Sequence, residues 1–229
     1  MGEQLVFELV APEPASFANF VPGRNGEAVA ALGRAAAGTL AERSIVLWGA
    51  SGAGKSHLLA ACTDEARRRH GRQAFLWPSP SAIDLQAPLA GALVAVDDVD
   101  HADADGAARL FTLYNALGEH GGTFVAASAL PPARIALRDD VRTRLSWGLV
   151  LEVVPLADDD KPAALAAYAR SRGFTLADEV IVDLLAHGRR DMRSLVETLA
   201  ALDRTSLVHK RPVTVPLVRE WLQRSIDER

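Results

Sequence analysis

Ser44-Ile45-Val46-Leu47-Trp48-Gly49-Ala50-Ser51-Gly52-Ala53-Gly54-Lys55-Ser56 begins as an apolar run and ends as a glycine-punctuated polar loop. The first five residues have the texture of a buried strand and run directly into glycine. Gly49 to Ser56 fit the pattern G-x-x-x-x-G-K-[ST] at every fixed position. Glycines let the backbone curl so that successive N–H groups point inward at phosphate oxygens. A helix starting at Lys55 presents its positive amino end to the same charge. Lys55 has the reach for β- and γ-phosphates, and the Ser56 hydroxyl suits a magnesium ion. The residues expected to hold nucleotide are Gly49, Ala50, Ser51, Gly52, Ala53, Gly54, Lys55 and Ser56, and the expected ligand is ATP or ADP with Mg2+.

Outward from this loop the pattern repeats. The helix after it is expected to run from Lys55 to about His70, with Gly71 ending it. An alanine-rich helix is expected before it, from about Glu27 to Glu42. Residues 73–77, 92–96, 123–127 and 149–153 read as further apolar strands, and 105–119 as a helix. Near-continuous apolar strands alternating with helices predict a five-stranded parallel sheet covered on both faces, the α/β class. The strand around Leu93-Val94-Ala95-Val96 ends in Asp97-Asp98. After a complete phosphate loop, such a pair supplies Asp97 to support magnesium through its waters and Asp98 to orient or deprotonate an attacking water. Taken alone, the pair would read as caps of the turn after the strand.

After Pro155 the texture changes to helix. Asp158-Asp159-Asp160-Lys161-Pro162 carries helix-start signals, and three or four helices are expected near 161–172, 177–187, 191–207 and 214–225. Met192, Leu195, Val196, Leu199 and Leu202 recur at helical spacing as one apolar face. The expected domains are therefore an irregular lead-in over 1–25, an α/β nucleotide-binding domain over 26–155 and a small helical lid over 156–229. No internal repeat is visible.

Composition sets outer bounds. Hydrophobic residues are 49% of the 229 and the formal net charge is −4, so a full core is possible and wholesale polyanion binding is disfavoured. No run reaches the ~18 apolar residues of a membrane span, and Met1-Gly2-Glu3-Gln4 lacks the start of a secretion signal, so a cytoplasmic location is expected. The single cysteine, Cys62, falls in an apolar run and reads as a buried thiol. Arg67, Arg68 and Arg69 close a helix and read as solvated charge complementing its dipole. The six histidines show no metal-ligand spacing.

Two arginine segments remain, Arg142-Thr143-Arg144-Leu145-Ser146-Trp147-Gly148 and Arg189-Arg190-Asp191-Met192-Arg193. With these in view, the chain resembles the DnaA family of AAA+ ATPases, and above all its short Hda branch, the regulatory inactivators of DnaA. The resemblance rests on Gly54-Lys55-Ser56-His57-Leu58-Leu59, Asp97-Asp98, Phe111-Thr112-Leu113-Tyr114-Asn115, Arg144-Leu145-Ser146-Trp147-Gly148 and Asp191-Met192-Arg193-Ser194-Leu195. It implies that Arg144 is an arginine finger acting across a subunit interface, that Arg193 senses bound nucleotide, and that His57 belongs to the nucleotide site. Asn19 to Arg24 resemble the lead-in that encloses adenine. Gln4-Leu5-Val6-Phe7-Glu8-Leu9 resembles a clamp-binding hexapeptide, which assigns Gln4, Leu5, Phe7 and Leu9 to a cleft of the DNA polymerase III sliding clamp (beta subunit). The chain ends at Arg229 without the helix-turn-helix domain of DnaA, so DNA contact is expected only through the clamp. The partners implied are DnaA, the clamp and a second copy of the chain, with no membrane. One departure stands out: after the fourth strand the family's polar sensor is reduced to Ser128, which implies weak intrinsic hydrolysis. The function expected is negative regulation of replication initiation. The alternatives are a self-assembling helicase loader and a nucleotide-gated adaptor that hydrolyses nothing.

Overall fold

In the computed structural model, residues 14–188, 191–209 and 212–227 are described, with the backbone alone for Ser171, Arg193, 207–209 and 224–227. The clamp-type residues Gln4, Leu5, Phe7 and Leu9 lie outside the described residues. The elements are α1 (Gly26–Ala37), β1 (Ser44–Trp48), α2 (Lys55–His70), β2 (Ala74–Trp77), β3 (Leu93–Val96), α3 (Ala104–Glu119), β4 (Thr123–Ser128), α4 (Asp139–Leu145) and β5 (Leu149–Glu152). Four helices follow: α5 (Lys161–Ser171), α6 (Asp178–His187), α7 (Met192–His209) and α8 (Val215–Asp227).

The strands form one five-stranded sheet in the order β2-β3-β4-β1-β5, and every neighbouring pair is parallel. Alternate side chains serve opposite faces. Ile45, Leu47, Val125 and Ala127 pack against α1 and α2, while Val46, Val94, Phe124 and Ala126 pack against α3 and α4. Parallel strands covered on both faces have no solvent side, which is why β1, β3 and β4 read as unbroken apolar runs. Alanine content has its use in α1, where Ala28, Ala31, Ala35 and Ala36 are buried and let α2 approach closely. The Cys62 Sγ donates to the Leu32 carbonyl across that contact at 3.4 Å, and burial pushes its thiol up to about 12.

Two elements differ from expectation. α1 stops at Ala37, not near Glu42, because Gly38 turns left-handed (φ 74) and the Gly38 and Thr39 N–H groups close on Ala35 and Arg34 carbonyls. Residues 139–145, read only as an arginine motif, form α4, with Asp139 and Asp140 in its first turn. The start signal near Asp158 holds, with a 3₁₀ turn Asp158–Asp160 leading into α5. The last four helices build a separate core around Leu165, Leu184, Leu195, Leu199, Leu202 and Val218. Met192 packs against that core, and Val196 is half-buried. No helix among the described residues is long and apolar enough to cross a membrane.

Candidate nucleotide-binding site

β1 delivers the chain to the carboxyl end of the sheet, the end at which ligands bind in open α/β folds. There Gly49 has φ 151, and a Cβ on it would stand 2.2 Å from the Val153 carbonyl oxygen, so only glycine fits. Gly52 and Gly54 also have positive φ, 78 and 100. Ala50, Ser51 and Ala53 complete the curl, with the Ala53 N–H donating to the Ala50 carbonyl at 3.3 Å. Gly54 is the N-cap of α2 and carries no side chain to satisfy the first N–H groups, and no acid lies in that first turn. An amino end left uncapped in this way suits an anion.

Lys55 is 9% exposed, and its ammonium donates to the carbonyls of Gly49 at 2.7 Å and Ala50 at 2.9 Å. It therefore lies over the loop whose ligand it would neutralise. Ser56 is exposed beside it on the first turn. Asp97 follows β3 at the same end of the sheet, and its Oδ1 accepts from the Asp98 N–H at 2.9 Å. Asp98 is exposed and left-handed (φ 49). Burial raises its carboxyl above the usual range, Asp97 and Asp100 push the same way, and His101 and Lys55 oppose them. A carboxylate so placed holds a proton more readily, as a base requires. The donor set fits a magnesium nucleotide: a cradle of N–H groups, one ammonium, one hydroxyl and the Asp97 carboxylate.

The lead-in closes one side of this site. The Phe20 ring lies so close to Gly54 that a Cβ there would meet its Cε2 at 2.7 Å. Phe20 and His57 rings are tilted at 5.5 Å, and the His57 Nε2 meets the Ser16 carbonyl at 3.0 Å. Asn25 fastens the lead-in to the segment after β5, donating to and accepting from Val154, both at 2.9 Å. The lid closes another side. Asp191 caps α7 through the Ser194 N–H at 2.9 Å, and its Cβ lies 3.7 Å from where one on Gly52 would stand. Arg193 therefore lies in the first turn of a helix that starts against the loop, while its side chain is outside what the structure describes. Asn25 had no sequence signal as a site residue, since it acts through a contact distant in the chain, and Asp191 was noted only within the Asp191–Leu195 segment, its approach to Gly52 being settled by the fold.

Ser128 ends β4 opposite Trp48 and accepts the Gly49 N–H through its carbonyl at 3.3 Å. Its hydroxyl is buried and donates to the Leu130 carbonyl at 2.6 Å.

Arg144 lies elsewhere. α4 enters β5 at its amino end, where Leu149 pairs with Ile45, whereas the phosphate loop follows Trp48 at the other end of β1. Beside Arg144, the Tyr114 and Ser44 hydroxyls meet at 3.3 Å at the start of β1. β1 alone interposes roughly 15 Å between the two ends. The Arg144 Nε donates to Asn115 Oδ1 at 2.9 Å and its Nη1 to the Asp140 carbonyl at 3.1 Å. Its guanidinium lies 4.0 Å from the Phe111 ring centroid. The same α3 segment noted in the sequence thus frames this arginine, next to Trp147, whose side chain is exposed.

A family model described as "Hda, lid domain" matches residues 158–222. Domain III of the replication initiation protein DnaA from Thermotoga maritima superposes with a TM-score of 0.72 at 18% identity, covering 89% of this chain and 93% of that one. Residues 158–222 are thus similar to an Hda lid domain, and the chain as a whole has the fold of DnaA domain III. AMPPCP-bound DnaA from Aquifex aeolicus matches this chain with a TM-score of 0.67 and 20% identity over 86% of it, which spans 66% of that protein. The RuvB Holliday junction branch migration motor of Thermotoga maritima has a TM-score of 0.69 and 16% identity over 92% of this chain and 72% of that one. At such identities the structural likenesses speak for the fold, a parallel sheet with a helical lid.

Proposed function

We propose that this protein is a negative regulator of bacterial replication initiation that binds adenine nucleotide and triggers ATP hydrolysis by DnaA. The observation that carries the reading is the position of Arg144, oriented by Asn115 and Phe111 at the end of the sheet away from its own phosphate loop. An arginine so placed serves a nucleotide held by another molecule, where it stabilises the charge of phosphoryl transfer. The Hda-type lid and the DnaA-like fold make DnaA the molecule of choice.

In this scheme Gly49 to Ser56, His57 and the amino end of α7 with Arg193 hold ATP or ADP with Mg2+, and Asp97 supports the ion. When bound, the Mg2+ would be held by the Ser56 hydroxyl with Asp97 behind it and would supply charge neutralisation for the phosphates. Asp98 is the candidate base of this chain's own site. The Ser128 hydroxyl is engaged by Leu130, which favours slow turnover there. Gln4, Leu5, Phe7 and Leu9 tether the protein to the sliding clamp on DNA, so that DNA contact is indirect.

The test is ATP hydrolysis by purified DnaA, with and without this protein, in the presence of clamp loaded on DNA. Stimulation lost in both Arg144→Ala and a Gln4→Ala/Leu5→Ala variant establishes the mechanism. ATP turnover by this protein alone, rising with its concentration and without effect on DnaA, moves the assignment to a self-assembling loader.

A further inference from the structure

Beyond the phosphate loop, one group of candidate ligand side chains converges among the described residues: Asp98, Asp100 and His101, whose donor atoms all lie within 4.8 Å of one another. The 3₁₀ turn Val99–His101 brings them together, with the His101 N–H donating to the Asp98 carbonyl at 3.0 Å. Side chains three apart eclipse in such a turn. That is why a segment without a ligand spacing in the sequence becomes a cluster in space.

A second observation points into the cluster. The Asp100 side chain is only 8% exposed, yet its Oδ1 has no hydrogen-bond partner. That oxygen faces the His101 Nδ1 at 3.9 Å, too long for a hydrogen bond. A carboxylate oxygen withdrawn from water without a donor is costly, and native structures give such a group a partner or an ion. The neighbouring acids are engaged elsewhere: Asp97 Oδ1 accepts from the Asp98 N–H, and Asp103 Oδ1 caps Gly106 at 2.8 Å.

We propose that Asp98, Asp100 and His101 form a binding site for a divalent transition-metal ion of the zinc class, separate from the magnesium of the nucleotide. Two carboxylate oxygens and one imidazole nitrogen suit zinc or cobalt, whereas magnesium prefers an all-oxygen shell rich in water. Three protein ligands leave one position open. Zinc with ligands at about 2.0–2.2 Å sets its donors roughly 3.4 Å apart, so the cluster must contract by about an ångström. The exposed side chains of Asp98 and His101, the latter 75% accessible, have room to do so. Asp98 held there is withdrawn from any water at the nucleotide, so occupancy slows the chain's own hydrolysis.

The experiment is titration of the full chain with Co2+ in millimolar Mg2+, followed by visible absorption and calorimetry, with Zn2+ as competitor. The expected result is one tight Co2+ per chain, displaced by Zn2+, indifferent to Mg2+ and unchanged in Ser56→Ala. Affinity falls at least about tenfold in His101→Ala and in Asp100→Asn. Zn2+ raises the melting temperature of the native protein and not that of His101→Ala, whose exposed position leaves folding intact. Equal Co2+ binding by native protein and His101→Ala, displacement by Mg2+, or no stoichiometric binding overturns the proposal.

Discussion

The two ends of β1 solve opposite problems with the same strand. At the carboxyl end, Trp48 runs into a loop whose ligand groups are mostly backbone N–H, and three glycines at positive φ shape it. At the amino end, near Ser44, the chemistry is a side-chain assembly: Arg144 on Asn115 and Phe111, with Tyr114 and Trp147 beside it. The first site is closed by its own chain, through Phe20 and Asp191. The second faces outward and holds no phosphate-binding loop. On the function proposed above, the backbone site is complete within one molecule, while the oriented cation serves a nucleotide held by another.

Perturbing either end tests their independence, and the largest effect belongs to Lys55. Lys55→Ala removes a nearly buried ammonium that lies on the loop carbonyls of Gly49 and Ala50, and on the proposed function nucleotide affinity should fall about a hundredfold, on the order of 3 kcal/mol. The nucleotide-dependent rise in melting temperature should vanish, while the packing around Arg144 is untouched. Gly49→Ala forces a Cβ against the Val153 carbonyl in a backbone region closed to alanine. About 2–3 kcal/mol of stability should be lost, read by denaturant melts. A melt like the native one would show that the loop tolerates distortion.

At the other end, Asn115→Ala leaves Arg144 without its Nε acceptor. Stimulation of DnaA should fall about tenfold with nucleotide binding by this chain unchanged, which separates orientation of the arginine from nucleotide occupancy. Equal loss of both would mean that the ends communicate.

The pH responses of the two domains should have opposite signs. Asp183 in α6 is held below the usual carboxylate range chiefly by its hydrogen bond from Arg219, against burial. Its contribution to stability is present above about pH 4 and lost as pH falls through its folded value. Asp98 is raised, so its contribution is fully present below about pH 4 and lost as pH rises through its folded value. Asp98→Asn should therefore stabilise the protein at neutral pH by under about 1 kcal/mol, since solvent screens the site, with the gain fading in acid. Melts across pH 3 to 8 on Asp98→Asn and Asp183→Asn check both signs. Smallest of all, Cys62 should resist iodoacetamide at pH 8 until denaturant exposes it, because burial holds the thiol near 12.

Much of this fold is legible because its signals are local. An apolar run must be buried on both faces, glycines in G-x-x-x-x-G-K-S must curl, and Gly71 must end α2 where its φ turns to 60. Those choices depend on side chains and dihedrals within a few residues, and the strands and α2 fall where they were expected. α1 was overextended because the left-handed turn at Gly38 depends on one residue within a continuing alanine-rich pattern. α4 was missed because seven residues are too few to show a helical period.

By itself the sequence determined the phosphate loop, the apolar strands and the onset of the helical lid, since each is written in residues adjacent along the chain. Only the tertiary structure decided that Arg144 stands away from its own loop, that Asp191 abuts Gly52, that Ser128 turns to Leu130, and that Asp100 is buried without a donor beside His101. The physical reason is that these outcomes depend on which groups desolvate one another. Desolvation is settled by the packing of distant segments and by tight turns that bring unlike residues to one point, and no local pattern encodes it.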